Sequence, residues 1–250
     1  MLITLGICGT LLLLGPIAQA PDYNQFADQS TLFGIPHAGD VLSNAGFAIV
    51  GVWGWWSLWH RRAHPALRDG WHGYGLFLIG LVLTALGSAY YHLAPDNGRL
   101  VWDRLGIVLV SAGLLSAVRA ETRGGTHRLL FTSGLIAYGA LSIAWWSLTE
   151  HRLGGPGDLR PYLLLQLLPL ILIPLWQAIY KSSRADRIGF GMLVLLYVLA
   201  KFAEIWDHEL LARLGWISGH TLKHLLAAAA ATAIVITLRY RLGAGAGRAS

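Results

Sequence analysis

Apolar positions in this chain come in long unbroken runs, separated by short polar stretches rich in Arg, Gly and Pro. The runs cover approximately 2–20, 41–59, 71–92, 100–118, 129–148, 161–180, 188–206 and 217–238. About 20 apolar residues in a helix cross a hydrocarbon core about 30 Å thick, so each run is a candidate span. The connections are mostly short, which leaves no room for a separate soluble domain. The pattern predicts an all-α polytopic membrane protein. A seven-helix core over 41–240 follows a hydrophobic segment (1–20) and an external loop (21–40), and a tail (241–250) ends the chain.

Punctuation supports these bounds. Ala94-Pro-Asp-Asn-Gly98 predicts a tight turn between antiparallel neighbours. Gly154-Gly-Pro-Gly157 predicts a break before the sixth run, and Pro169 and Pro174 predict a kink within it. Trp53, Trp55, Trp56 and Trp59 crowd one end of the second run, as interfacial aromatics do. No heptads or tandem repeats are expected beyond the Ala227–Ala231 run. In the N-terminal segment, Ala18-Gln-Ala20 has the form of a cleavage site. The lack of Lys or Arg ahead of its apolar core, and Pro21 just after it, favour a retained helix.

Composition sharpens the picture. Only 13% of residues are charged and 55% are hydrophobic, with a mean hydropathy of +0.53. A soluble domain carries about 25% charged residues, so the deficit argues for membrane embedding. Cys8 is the only cysteine, which removes disulfide frameworks and thiolate metal sites. The net charge of +6 is a topology signal and not a nucleic-acid one. Arg61, Arg62 and Arg68, then Arg119, Arg123 and Arg128, then Lys181, Arg184 and Arg187 crowd alternate connections, and Arg239, Arg241 and Arg248 follow the last run. The intervening connections hold Arg99, Arg152, Arg160 and Arg213. The positive-inside rule therefore puts the first set and the C-terminus in the cytoplasm.

Against this background five polar residues stand out: Ser88 and His92 at the end of one run, Asp103 at the start of the next, and His220 and His224 at the start of the last. Ionisable groups at bilayer depth cost free energy and mark functional sites by default. Helix parity puts all five in the outer leaflet. Residues four apart share a helix face, so His220 and His224 present both rings to one point, and Ser88 pairs with His92 likewise. Three His with an open fourth position form a catalytic zinc site. A carboxylate such as Asp103 can then accept a proton from water, and Ser88 can donate to a developing oxyanion. A covalent acyl-Ser route is disfavoured, because the imidazoles that would serve as base are used as ligands. Blander readings remain beside this one. A single intramembrane His can be a structural hydrogen-bond partner, and Asp103 can pair with Arg104. Haem is a competing metal reading, although it needs ligands on opposing helices.

Ser88-Ala-Tyr-Tyr-His92, Asp103 eleven residues on, and His220-Thr-Leu-Lys-His224, with Val41-Leu-Ser-Asn44, resemble the pattern of the alkaline ceramidase family. More distantly they resemble the seven-helix membrane hydrolase superfamily that includes adiponectin-receptor-like proteins. The resemblance covers about residues 22–240. It implies that His92, His220 and His224 bind Zn2+ while Asp103 and Ser88 attend the water. It also implies hydrolysis of a ceramide-like N-acyl membrane lipid to a fatty acid and an amine such as a sphingoid base. Two departures matter. The acidic Ca2+ cluster of eukaryotic members is reduced here to Asp22-Tyr-Asn-Gln-Phe-Ala-Asp28 with His37, so Ca2+ is doubtful, although Asp22, Asn24, Asp28 and Asp40 could support a weak site. The last motif carries Leu222-Lys223 where eukaryotic members have Trp before the final His, which leaves the exact lipid open. The N-terminal segment and Arg-rich composition suggest a bacterial relative in the inner membrane.

The alternative is a non-catalytic metal-binding receptor or scaffold of the same fold; a transporter is disfavoured because no paired broken helices appear. The sequence indicates no protein partner. Lys201 and Glu204 read as an ion pair beside a solvated loop at Asp207, His208 and Glu209, or else Glu204 or Lys223 orients the metal ligands. Asn44 and Gln166 are expected to tie helices together.

Overall fold

The computed structural model describes residues 2–124, 127–151 and 157–246. Seven helical spans among them are long and apolar enough to cross a membrane. The first, Ala38–Trp59, comprises α2 (Ala38–Ser43) and α3 (Ala45–Trp59) with one turn residue, Asn44, between them. The others are α4 (Trp71–Leu93), α5 (Asn97–Arg123), α6 (Arg128–His151), α7 (Arg160–Ile179), α8 (Arg184–Ile205) and α10 (Gly219–Ala246). The chain is an all-α integral membrane protein.

The edges differ from expectation in instructive ways. The helix of the N-terminal segment, α1 (Leu2–Leu13), is about 18 Å long at 1.5 Å per residue, too short to cross. Residues beyond it run without helix and are tied down: Leu159 N donates to the Ile17 carbonyl at 2.8 Å, and Ile17 N to Asp158 Oδ1 at 3.4 Å. The external loop is structured too, with a two-stranded hairpin (β1, Thr31–Leu32; β2, Ile35–Pro36) ahead of α2. A short helix, α9 (Asp207–Leu214), occupies what reads in sequence as a solvated loop. Arg239 and Arg241 lie inside α10. Arg241 bonds Asp186 and Glu121 at 2.6 Å each, joining α10, α8 and α5 at the end of the bundle opposite the candidate site. Asn44 bonds back to the Asp40 carbonyl of α2 (2.7 Å) and Gln166 to the Tyr162 hydroxyl within α7 (2.5 Å), and neither bridges helices by those bonds. Arg152, Arg248 and the Gly154–Pro156 break lie outside the described residues.

The tightest packing joins α4 and α5, which the three-residue connection Ala94–Asp96 forces to be antiparallel neighbours. Gly73, Gly80 and Gly87 recur every seven residues on α4, and Gly106 and Gly113 do so on α5. A Cβ on Gly87 would lie 2.2 Å from the Trp102 carbonyl oxygen, one on Gly106 2.4 Å from Thr84 N, and one on Gly73 2.3 Å from Ala117 N. The two backbones therefore touch directly, as small residues allow in lipid, where close van der Waals contact replaces the hydrophobic effect. Gly87 lies next to Ser88 and its missing side chain faces Trp102 and Asp103, so this contact brings Ser88 beside Asp103.

Candidate metal centre

Three helices deliver the site to one end of the bundle. His92 is in the last turn of α4, Asp103 in the second turn of α5, and His220 and His224 in the first two turns of α10. The start of α10 is fixed by another close approach: a Cβ on Gly219 would lie 2.1 Å from the Ala203 carbonyl oxygen and 2.6 Å from Asp207 Cα. Only glycine lets α10 begin against the junction of α8 and α9.

The three imidazoles converge. Ring centroids are 4.7 Å apart for His92 and His220, 5.1 Å for His92 and His224, and 4.8 Å for His220 and His224. One ring nitrogen from each lies within 4.8 Å of the other two, and all three residues are buried. A point within about 2.8 Å of all three atoms then exists (4.8 Å divided by √3), against about 2.0–2.1 Å for a zinc–histidine bond, so small ring movements complete the coordination. The group can hold a metal ion.

The donor set passes a further test. His92 Nδ1 is buried with no hydrogen-bond partner, a costly arrangement for a ring with no ligand to bind. At His224 the opposite face is defined: Nδ1 is 2.9 Å from Ser43 Oγ, and Ser43 Oγ donates to the Asp40 carbonyl at 3.1 Å. A hydroxyl has one proton. With that proton on the Asp40 carbonyl, His224 Nδ1–H donates to Ser43, and the Nε2 lone pair is left for an ion. His220 is set through its backbone, since its N–H donates to Asp207 Oδ1 at 2.7 Å while the Ala27 amide donates to Asp207 Oδ2 at 2.8 Å.

The remaining expected residues take places nearby. Ser88 and Asp103 are buried, at 2% and 9% exposure, and the hydroxyl is within hydrogen-bonding reach of the carboxylate. Both line a cavity of about 320 Å³ together with His224. The cavity follows α5 from Asp103 to Leu114, about 16 Å of helix, between Phe47, Phe77, Phe190 and Ala231. It has the size and apolar lining of a small-molecule site. Asp103 forms no ion pair with Arg104. Arg104 turns away to stack on Trp146, 3.9 Å from the ring centroid, and bonds Gln19.

A strap before α2 covers the histidines. The Phe26 ring lies 4.6 Å from that of His92 and 4.3 Å from that of His220. Tyr91 Oη donates to Asn24 Oδ1 at 2.6 Å, and Asn24 Nδ2 to Asn97 Oδ1 at 2.9 Å. The acidic residues here differ in their partners: Asp22 is exposed, and Asp40, in the first turn of α2, keeps one buried oxygen, Oδ2, without a hydrogen-bond partner. Asp28 accepts from the amides of Ser30 (2.9 Å) and Asp40 (3.1 Å), and Asp40 Oδ1 from Ser218 (3.0 Å) and Thr221 (2.6 Å). Burial pushes the Asp28 carboxyl up, but hydrogen bonds from Ser30 and the amides of Asp40 and Gly39 outweigh it, leaving it below the usual carboxylate value.

Sequence reasoning missed Asp207 as a support and gave Ser43 no role beyond the family-like Ser-Asn element. Neither spacing nor composition separates Asp207 from His208 and Glu209, its polar neighbours. The ion pair of Lys201 and Glu204 is present at 2.5 Å, and Lys223 joins it, 2.6 Å from Glu204 Oε1 and 3.4 Å from His220 Nε2. Comparison of the chain with family models, with curated proteins and with solved structures finds no match.

Proposed function

We propose that this protein is a zinc-dependent amidohydrolase acting within the membrane on an N-acyl lipid of ceramide-like form. The observation that carries the reading is a cluster of three buried imidazoles, one of which, His224, lines an apolar cavity together with the buried Ser88 and Asp103. A purely structural three-His site has no use for that pair or for a cavity beside it. His92, His220 and His224 would hold the zinc. Bound there, zinc would supply Lewis acidity, polarising a carbonyl oxygen and easing the deprotonation of water.

The chain's own groups account for the rest. The cavity walls hold the acyl chain and exclude bulk water, so the amide is presented beside His224. The Asp103 carboxylate takes the proton from water as oxygen adds to the acyl carbon. It returns that proton to the amide nitrogen as the C–N bond breaks, releasing a fatty acid and an amine. The Ser88 hydroxyl lies beside Asp103 and can donate to the oxygen that becomes negative during the addition. The Arg and Lys distribution supports a cytoplasmic C-terminus and a site toward the external leaflet, as in a bacterial inner membrane.

The test combines metal analysis with turnover of the purified protein. His224→Ala should lose roughly stoichiometric zinc, because two protein ligands hold the ion poorly. Asp103→Asn should keep zinc and lose about 10²–10⁴ in rate, the usual worth of general-base help. If Asp103→Asn lost zinc as completely, Asp103 would be a ligand and its proton role would fall. A wild-type protein that holds zinc yet releases no fatty acid from ceramides, N-acyl ethanolamines or N-acyl amino acids would be the receptor or scaffold of the alternative reading.

A further inference from the structure

The cavity has an uncompensated charge. Five of its lining residues are ionic: Lys201, Lys223 and Arg104 against Glu204 and Asp103. Three cations face two carboxylates, and a divalent metal at the histidines would add to the excess. Charge at bilayer depth is costly and persists where a partner or a ligand repays it. Glu204 is shared between two lysines, at 2.5 Å from Lys201 and 2.6 Å from Lys223. Arg104, 4% exposed, has no carboxylate partner among the described residues, and its Nη1 has no hydrogen-bond partner.

The cations are also graded in position. Lys201 is half-exposed, with 49% of its side chain accessible, whereas the side chain of Lys223 is only 22% accessible. Lys223 therefore lies deeper, 3.4 Å from His220 Nε2 and one residue from His224. An ammonium has three donors. One is engaged by Glu204 and a second faces His220 Nε2, which leaves one, and the nitrogen is close enough to the histidines to reach a group attached within one or two carbons of an amide held there. A neutral ceramide head group offers hydroxyls at that position, which leave the positive charge unanswered. A carboxylate answers it.

We propose that the lipid taken by this cavity carries an acidic head group close to its amide, as N-acyl amino acids do, with Lys223 as the anchor of the acid and Lys201 at the entrance. This rests on the N-acyl amidohydrolase reading for its chemistry but not for its binding. An ammonium–carboxylate hydrogen bond in such a setting is worth about ten- to a hundredfold in affinity.

The experiment compares N-oleoylglycine with N-oleoylethanolamide, which share the acyl chain and amide and differ in a carboxylate against a hydroxymethyl group. Both are presented at equal mole fraction in non-ionic detergent micelles to the zinc-loaded wild-type protein. Binding is read by quenching of tryptophan fluorescence, and turnover by released oleate. The acid should bind at least tenfold more tightly and be cleaved with a correspondingly higher kcat/KM, mainly through KM. Lys223→Met should reduce that ratio toward one, with Glu204 still paired to Lys201 to preserve the fold; Lys201→Gln should reduce it less. Tighter binding of the acid with no cleavage of either lipid would sustain this inference while removing the hydrolase reading. Equal binding of the two, binding of neither, or a preference unchanged in Lys223→Met would overturn it.

Discussion

Asp207 is the support whose removal is most informative, because one carboxylate holds two separate parts of the site. Its Oδ1 accepts the His220 amide at 2.7 Å and its Oδ2 the Ala27 amide at 2.8 Å, and the residue is 7% exposed. Asp207→Asn conserves shape but replaces one acceptor by an NH2 that faces a donor. One buried amide is then unpaired, which costs about 1–3 kcal/mol. Because that amide belongs either to a candidate metal ligand, His220, or to the strap carrying Phe26, the ring positions loosen with it. Loss of outer support of this kind typically costs about 10–100-fold in metal affinity. The unfolding midpoint should fall by several degrees, at about 2–4 °C per kcal/mol for a chain of this size. Competition with a chromophoric zinc chelator in detergent measures the first effect and a thermal melt the second. Zinc affinity within twofold of wild type, in a protein with a wild-type melt, would refute the idea that Asp207 positions His220.

Two further outcomes follow from packing and from charge. Gly87→Ala must push the Trp102 carbonyl away by roughly 1 Å, a costly overpacking, and it should separate Ser88 from Asp103 enough to lower turnover about 100-fold. Gly6→Ala, with nothing within 4 Å of its Cβ, is the control that should change neither activity nor melt. Burial raises the Asp158 carboxyl, but hydrogen bonds from Arg160, Trp145 and the Ile17 amide outweigh this and hold it at about 2, below its ordinary 3.8. A depressed carboxylate stabilises the fold above its unfolded value and loses that contribution as pH falls through the folded one. Proteolysis near Ile17 should therefore rise between about pH 4 and pH 2 in the wild type, whereas Asp158→Asn should be cleaved equally across that range.

Much of this fold is legible in sequence because lipid imposes a one-dimensional rule: length and apolarity suffice to mark a span. The five polar residues were legible for the same reason, since a His or Asp in an apolar run has few innocuous explanations. Their grouping followed from helix parity together with the four-residue spacing of Ser88 with His92 and of His220 with His224. What sequence did not reveal depends on partners distant along the chain. Ser43 and His224 are 181 residues apart, and Ala27 and Asp207 are 180 apart. Ser43 and Asp207 look like ordinary polar residues near helix ends, and Ala27 contributes only a backbone amide. The N-terminal segment was overextended because its apolar residues continue past Leu13, where Gly15 with a φ of 72° and then Pro16 end the helical path. The glycine register on α4 and α5 escaped notice because its signal is the absence of side chains.

That register has a mechanical consequence. Side chains between two helices can change rotamer and let them slide, but backbones in contact through Gly73, Gly80, Gly87, Gly106 and Gly113 have no such slack. The α4–α5 pair behaves as a single stiff beam, and Ser88, His92 and Asp103 are fixtures on it. Any widening of the cavity must come from its other walls, α3, α7, α8 and α10. His220 and His224 ride on the moving side of that division. An ion bound between them and His92 would act as a clasp between α10 and that beam.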